Sequence, residues 1–164
     1  MSGSPSEAAG RRSRSTRGSG AVASVSRTPR ERRERDGEAA GHPWTWQDQF
    51  GYSQAWRVDG ASAVIFVAGQ GPLSPDGEFV GAGDFEAQAR QTFENLRTVL
   101  DEAGASTEAI VKLNVYLTDI ALLRDYGRIR AELLPGPAPA GTAVQVVALA
   151  IPGMMLEVEA VAVV

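Results

Sequence analysis

The sequence predicts an α+β domain, a β-sheet with two helices packed on one face. Three observations carry this reading. Residues 84–103 place Phe85, Ala89, Phe93, Leu96, Leu100 and Ala103 at spacings of four and three, which is one apolar stripe along a helix. Residues 121–134 repeat the pattern with Leu122, Tyr126, Ile129 and Leu133. Around them lie short apolar or alternating segments with strand character, in the order β-β-α-β-α-β-β.

Taken in order, residues 54–59 and 63–68 read as two strands joined by a turn at Asp59-Gly60. Val64 through Ala68 is continuously apolar, as a strand buried on both faces would be. Pro75-Asp76-Gly77 is a turn signal, with a short extra strand expected at 78–80. Asp84 is placed to cap the first helix and Gly104 to end it. A strand follows at 110–117, with Val111, Leu113, Val115 and Leu117 on one face. Pro135-Gly136-Pro137 stops the second helix, and two final strands cover 142–149 and 155–163. Two helices can cover only one face of such a sheet. Strands 63–68 and 143–149 carry apolar residues on both faces, so a second copy of the chain is the expected cover.

Residues 1–40 hold nine arginines against five acids and no aromatic residue, the composition of a disordered tail. Residues 41–50 read as a linker, and 51–164 as the domain. Arg11, Arg12, Arg14 and Arg17 also give the start some likeness to a transit peptide; Ala21–Val25, broken by Ser24, is too short for a secretory signal. Residues 41–164 carry seven basic against fifteen acidic side chains, which argues against nucleic acid as a partner. No apolar run reaches the ~18 residues that suggest a membrane span. The chain has no cysteine, which excludes disulfides and a thiol nucleophile and fits a reducing, cytoplasmic setting. The single histidine, His42, lies in the linker, so neither a Ser-His-Asp relay nor a multi-histidine metal site can be built. No phosphate loop or paired metal ligands are present, and neither a metal nor a cofactor is expected.

The last strand holds the residues most suited to chemistry. Alternation puts Leu156, Val158, Ala160 and Ala162 on one face and Glu157 and Glu159 on the other, about 7 Å apart. Two carboxylates on an otherwise apolar sheet suit general acid/base work; they suit still better ion pairing or hydrogen bonding across a subunit contact. Tyr52 can offer a hydroxyl at a cleft mouth or simply pack against the sheet. The backbone of Gly69-Gln70-Gly71-Pro72 can bind an anion or carbonyl oxygen, or merely turn the chain out of the sheet.

These segments, in this order, resemble the RidA (YjgF-like) family of reactive intermediate deaminases. Gly51-Tyr52-Ser53-Gln54-Ala55 resembles its "PYSQA" motif and Val67-Ala68-Gly69-Gln70 its "VSGQ". The helix ending Leu100-Asp101-Glu102-Ala103-Gly104-Ala105 is similar to its long helix with an "AGAS" close. Val111 through Asp119 resembles "VKVTVYLTD", and Val158 through Val163 the closing "VEIEAIAV". The resemblance implies a chorismate-mutase-like α+β fold and a homotrimer with clefts between subunits. It also implies cofactor-independent hydrolysis of the reactive enamines and imines that pyridoxal-phosphate enzymes release.

Carried over residue by residue, the resemblance makes Glu157 the water-positioning carboxylate, given one extra residue in the Ala150–Gly153 turn. Tyr52 is the cleft tyrosine and Gly69 the oxyanion-side glycine. Ala68 stands where the family has serine, Gly127 where an asparagine is common, and Gly141 where an arginine grips the substrate carboxylate. Thr142 and Ala143 continue that arginine's strand in the substrate pocket. Losing a guanidinium partner costs a charged ligand about 2–5 kcal/mol. Arg128 or Arg130, on the helix of Gly127, is a candidate substitute. The sequence thus leaves open an enzyme with a non-standard substrate, a different acid/base reaction, and a non-catalytic trimer that binds a small ligand or a protein.

Overall fold

The computed structural model describes residues 38–39 and 48–164; most of the tail and linker, His42 included, lies outside them. The strands are β1 (Glu38–Ala39), β2 (Trp56–Arg57), β3 (Val64–Gln70), β4 (Ile110–Leu117), β5 (Ala140–Gln145) and β6 (Leu156–Val163). The helices are α1 (Phe85–Glu102) and α2 (Leu123–Leu133). Strands β3-β6-β4-β5 form one sheet, and β1 pairs with β2 separately. β6 is antiparallel to both of its neighbours. β5 runs parallel to β4, as the α2 crossover between them requires.

α1 forms as its sequence predicts. Asp84 accepts a hydrogen bond from the Ala87 amide, and Gly104, at φ 78°, ends the helix with bonds from Ala105 to Leu100 and from Gly104 to Asp101. Its stripe of Ala89, Phe93, Leu96 and Leu100 is buried; Ala103 is exposed, because the helix has already ended there. A 3-10 turn at Ile120–Leu122 precedes α2, which buries Tyr126 and Ile129 while Leu122 and Leu133 are half-buried. The core lies between these helices and the sheet face formed by Val67, Leu113, Val115, Leu117, Leu156, Val158, Ala160 and Ala162. The α+β sheet with two helices on one face is therefore the observed fold.

Several local expectations are corrected. β2 does not form a hairpin with β3. Ser53 donates to Pro139 and bridges Ala140, and the Trp56 indole donates to Ala138, so this segment runs along the β5 side of the sheet. β5 covers 140–145 rather than 142–149, because its ladder ends opposite the last residue of β4, at Leu117–Gln145. Beyond it Val147 is fully exposed. A register shift between Ile110 and Lys112 buries Ile110 and leaves Val111 half-buried. The strand expected at 78–80 is a single bridge between Leu73 and Phe79. Within one chain β3 is buried on one face only: Val67 is 5% exposed, whereas Phe66 on the opposite face is 79% exposed.

Leu96 is fully buried at the centre of the stripe. Leu96→Ala is expected to lower unfolding free energy by about 2–5 kcal/mol through lost burial and a residual cavity. Urea denaturation measures this; a change below about 1 kcal/mol would remove Leu96 from the core.

Candidate functional site

β6 sits between β3 and β4, so its outward carboxylates lie over the middle of the open sheet face. Lys112, Asn114 and Tyr116 of β4 share that face, as do Thr142 and Val144 of β5 through their pairing with Asn114 and Tyr116. The two glutamates have different surroundings. Glu159 accepts hydrogen bonds from Asn114 Nδ2 and the Tyr116 hydroxyl, each at 2.8 Å. The Asn114 bond, then the Tyr116 bond, holds its carboxyl below the usual carboxylate range, with burial opposing; the reciprocal bond to Glu159 raises the Tyr116 phenol. Glu157 carries no side-chain hydrogen bond or ion pair among the described residues. Glu159 is thus engaged within its own chain rather than across a subunit contact, and Glu157 is left without a side-chain partner among the described residues.

Glu157 rests on Gly69. A Cβ built at residue 69 would lie 1.9 Å from Glu157 Oε1 and 2.8 Å from Cδ, so only glycine leaves room for the carboxylate. The ladder between β3 and β6 shifts register between Val67 and Gln70, the bulge that contains Gly69. Asn95 of α1 secures the loop that follows, its Nδ2 donating to Gly71 O and Leu73 O at 2.8 Å each. Gln88, fully buried on the same helix, donates to Gly81 O and Gly153 O and accepts from the Met155 amide. Neither residue stands out in the sequence, where both read as polar positions of a surface helix. Only their places flanking the apolar stripe, immediately before Ala89 and Leu96, could have hinted at a supporting role.

The remaining site residues gather elsewhere. Tyr52 lies against Gly141: a Cβ at 141 would sit 3.7 Å from Tyr52 Cβ and 3.4 Å from Leu113 O. Gly51 lies against Arg130, whose Nη2 would be 2.7 Å from a Cβ at 51. Gly127 stands one turn before Arg130 on α2 with open space around it. Arg128, in contrast, bonds Glu86 Oε2 at 2.8 Å, beside an Arg90–Glu86–Glu132 network. Thr142 accepts from Lys112 Nζ at 3.2 Å, and Ala143 is exposed beside it.

Two half-sites result. Glu157 pairs with Tyr116, which pairs with Val144, so Gly141 lies two strands across and three residues along from Glu157. From strand spacings that is about 14 Å between Cα atoms. Glu157 and Gly69 occupy the β3–β6 side, and Tyr52, Gly141 and Arg130 the far edge beyond β5. Ala68 belongs to the first side, in a hollow of about 390 Å³ on the open face that it shares with Phe66, Lys112, Asn114 and Glu159. A hollow of about 430 Å³ between α1 and the end of α2, lined by Arg90, Glu94, Arg97 and Leu133, contains none of these residues. No group of three metal-ligating side chains exists among the described residues, and none of their helices is long and apolar enough to cross a membrane.

The profile of the family described as Endoribonuclease L-PSP matches residues 47–164. The chain belongs to this family, which includes the RidA, YjgF and RutC proteins. A RutC family protein of Pyrococcus abyssi is 37% identical over 111 residues, 68% of this chain and 84% of that one. The mitochondrial protein mmf2 of Schizosaccharomyces pombe is 40% identical over 113 residues, 68% of this chain and 86% of its own. The crystal structure of the Rid family protein YyfB from Yersinia pestis covers 79% of this chain and 99% of its own at 29% identity, with a TM-score of 0.72. Membership in the RidA family supports a role connected with small metabolites.

Two substitutions probe the Glu157 side. Gly69→Ala is expected to leave folding nearly intact, because only the end of a flexible side chain must move, while Glu157 swings off its seat. Unfolding free energy should change by about 1 kcal/mol or less, and the crystal structure should show Glu157 in a different rotamer; an unmoved carboxylate contradicts the close fit. Tyr116→Phe removes one of two donors to Glu159, so that carboxyl should titrate at higher pH. A depressed carboxylate pKa stabilises the fold above the unfolded value and is lost as pH falls through the folded one. The variant should therefore begin to lose that contribution at a higher pH on acidification. Carboxyl carbon NMR titration reads both directions, and an unchanged Glu159 midpoint would dissociate Tyr116 from it.

Proposed function

We propose that the protein hydrolyses a reactive enamine or imine without a cofactor. The site forms in a homotrimer, where the Glu157–Gly69 side of one copy faces the Tyr52–Gly141 edge of the next. The observation that carries this reading is Glu157, an unengaged carboxylate fitted against a glycine on the sheet face opposite the helices. The exposed Phe66 and Val64 on the same sheet face support a second copy as its cover.

In the proposed reaction Glu157 takes a proton from water as the oxygen attacks the imine carbon. It returns that proton to nitrogen, giving a carbinolamine; it then takes the carbinolamine hydroxyl proton and passes it to the amine as the carbon–nitrogen bond breaks, so that ammonia leaves and a carbonyl product remains. An enamine first gains a proton on carbon and loses one from nitrogen to become the imine. Tyr52 orients the ligand with its hydroxyl, and Thr142 and Ala143 line the β5 edge. The acidic balance of residues 41–164 disfavours RNA as the substrate. Cytoplasmic residence fits the cysteine-free composition, although two related S. pombe proteins are named mitochondrial; cell fractionation distinguishes the two locations.

The second reading, a trimer that binds a metabolite or protein without turnover, is favoured by one observation: Gly141 offers no guanidinium. A coupled assay with 2-iminobutanoate generated in situ separates the readings. Wild type should release ammonia faster than buffer, and Glu157→Gln should lose about 100-fold or more of that rate. Light scattering should give about three times the 17.3 kDa chain mass for both proteins. A stable monomer removes the shared cleft; binding of imine-derived products without turnover supports the second reading.

A further inference from the structure

We propose that Arg130 is the positive charge of the ligand pocket and anchors a carboxylate on the ligand from helix α2. The ligand's identity as a deamination substrate rests on the catalytic reading above; the anchor itself does not. Four observations converge on one corner. Arg130 is half-buried and makes no ion pair among the described residues, whereas Arg128, two residues earlier on the same helix, is held by Glu86. Its guanidinium occupies the space that any side chain at residue 51 would need.

Gly51 also has φ 66°, a conformation that the proline of the resembled motif, fixed near −65°, cannot adopt. Backbone and guanidinium are thus fitted to each other at the residue preceding Tyr52. Next, Gly141 leaves the neighbouring space against Tyr52 unfilled, and Gly127 leaves open the helix turn over which Arg130 extends. Finally, Arg130 is close enough to the buried Tyr126 phenol to draw its pKa part of the way back down from the rise that burial causes. A guanidinium held this way, with no carboxylate of its own, presents a two-pronged donor that matches a ligand carboxylate. The inferred ligand class is a small carboxylate-bearing molecule, such as an imino or keto acid.

The test uses 2-oxobutanoate, a stable keto acid, with its neutral amide as a comparison, in calorimetric titrations against the full-length chain. Wild type should bind the keto acid, and Arg130→Gln should weaken it by about tenfold or more while leaving the amide within about twofold. Arg130→Lys should restore part of the loss, since it keeps the charge but not the fork. Arg128→Gln should bind like wild type. Light scattering shows whether each variant keeps the wild-type assembly. Equal keto-acid affinity in wild type and Arg130→Gln overturns the proposal, as does dependence on Arg128 or failure of wild type to bind the keto acid. If the keto acid binds through Arg130 but the imine is never hydrolysed, the anchor stands and the catalytic reading falls.

Discussion

The structure depends on strand β6 presenting two opposed chemistries at once. Leu156, Val158, Ala160 and Ala162 close the core against the helices, and Glu157 and Glu159 project from the same backbone into the open face. Because β6 is hydrogen-bonded on both sides, its carboxylates inherit positions fixed by two ladders rather than by a loop. Their difference in character then comes from neighbours. Asn114 lies across from Glu159 and donates to it, and Tyr116, although paired with Glu157, reaches diagonally to donate to Glu159 as well; the Glu157 carboxylate receives no such bond and rests against the bare backbone of Gly69. Two identical side chains two residues apart thus divide into one that braces the sheet and one free to act.

Sheet order decides where the rest of the site falls. β3 lies beside β6, so the bulge at Gly69 can pass under Glu157, and α1 reaches over to fasten the following loop through Asn95. β5 lies at the other edge, and the Tyr52–Ser53 segment attaches beyond it. On the proposed function, a catalytic carboxylate and a ligand-binding edge separated by two strands are of little use to one chain. They become complementary when copies associate edge to face, which also covers Phe66 and Val64. In this reading assembly and site formation are a single event.

The parts legible in the sequence were those fixed by local periodicity. The α1 stripe, its caps, and the alternation of β6 depend on residues within one element. Segments whose conformation is set by distant partners were misjudged: β2 follows Pro139 and Ala138 rather than β3, and β5 stops where β4 stops. The same division holds at the site. Glu157 and Gly69 could be named from pattern and resemblance, but their contact could not. Arg128 and Arg130 were indistinguishable by sequence. Two residues apart on a helix they point about 200° apart, and only a glutamate 42 positions away shows which one is occupied.

The glycines at 51, 127 and 141 are better understood together than as separate losses. Taken alone, Gly141 removes a charge from β5 and implies a weaker site. With Gly51 it flanks Tyr52, Gly51 against the Arg130 guanidinium and Gly141 against the Tyr52 side chain, while Gly127 leaves open space one turn before Arg130. A charge carried by α2 approaches from the helix side of the sheet, on a long tether whose end lies against the Gly51 backbone. Relocating the anchor therefore preserves the electrostatic requirement of a carboxylate ligand while changing the direction from which it is held relative to Glu157. The geometry between anchor and carboxylate, rather than the presence or absence of charge, becomes the property that selects among ligands of this class.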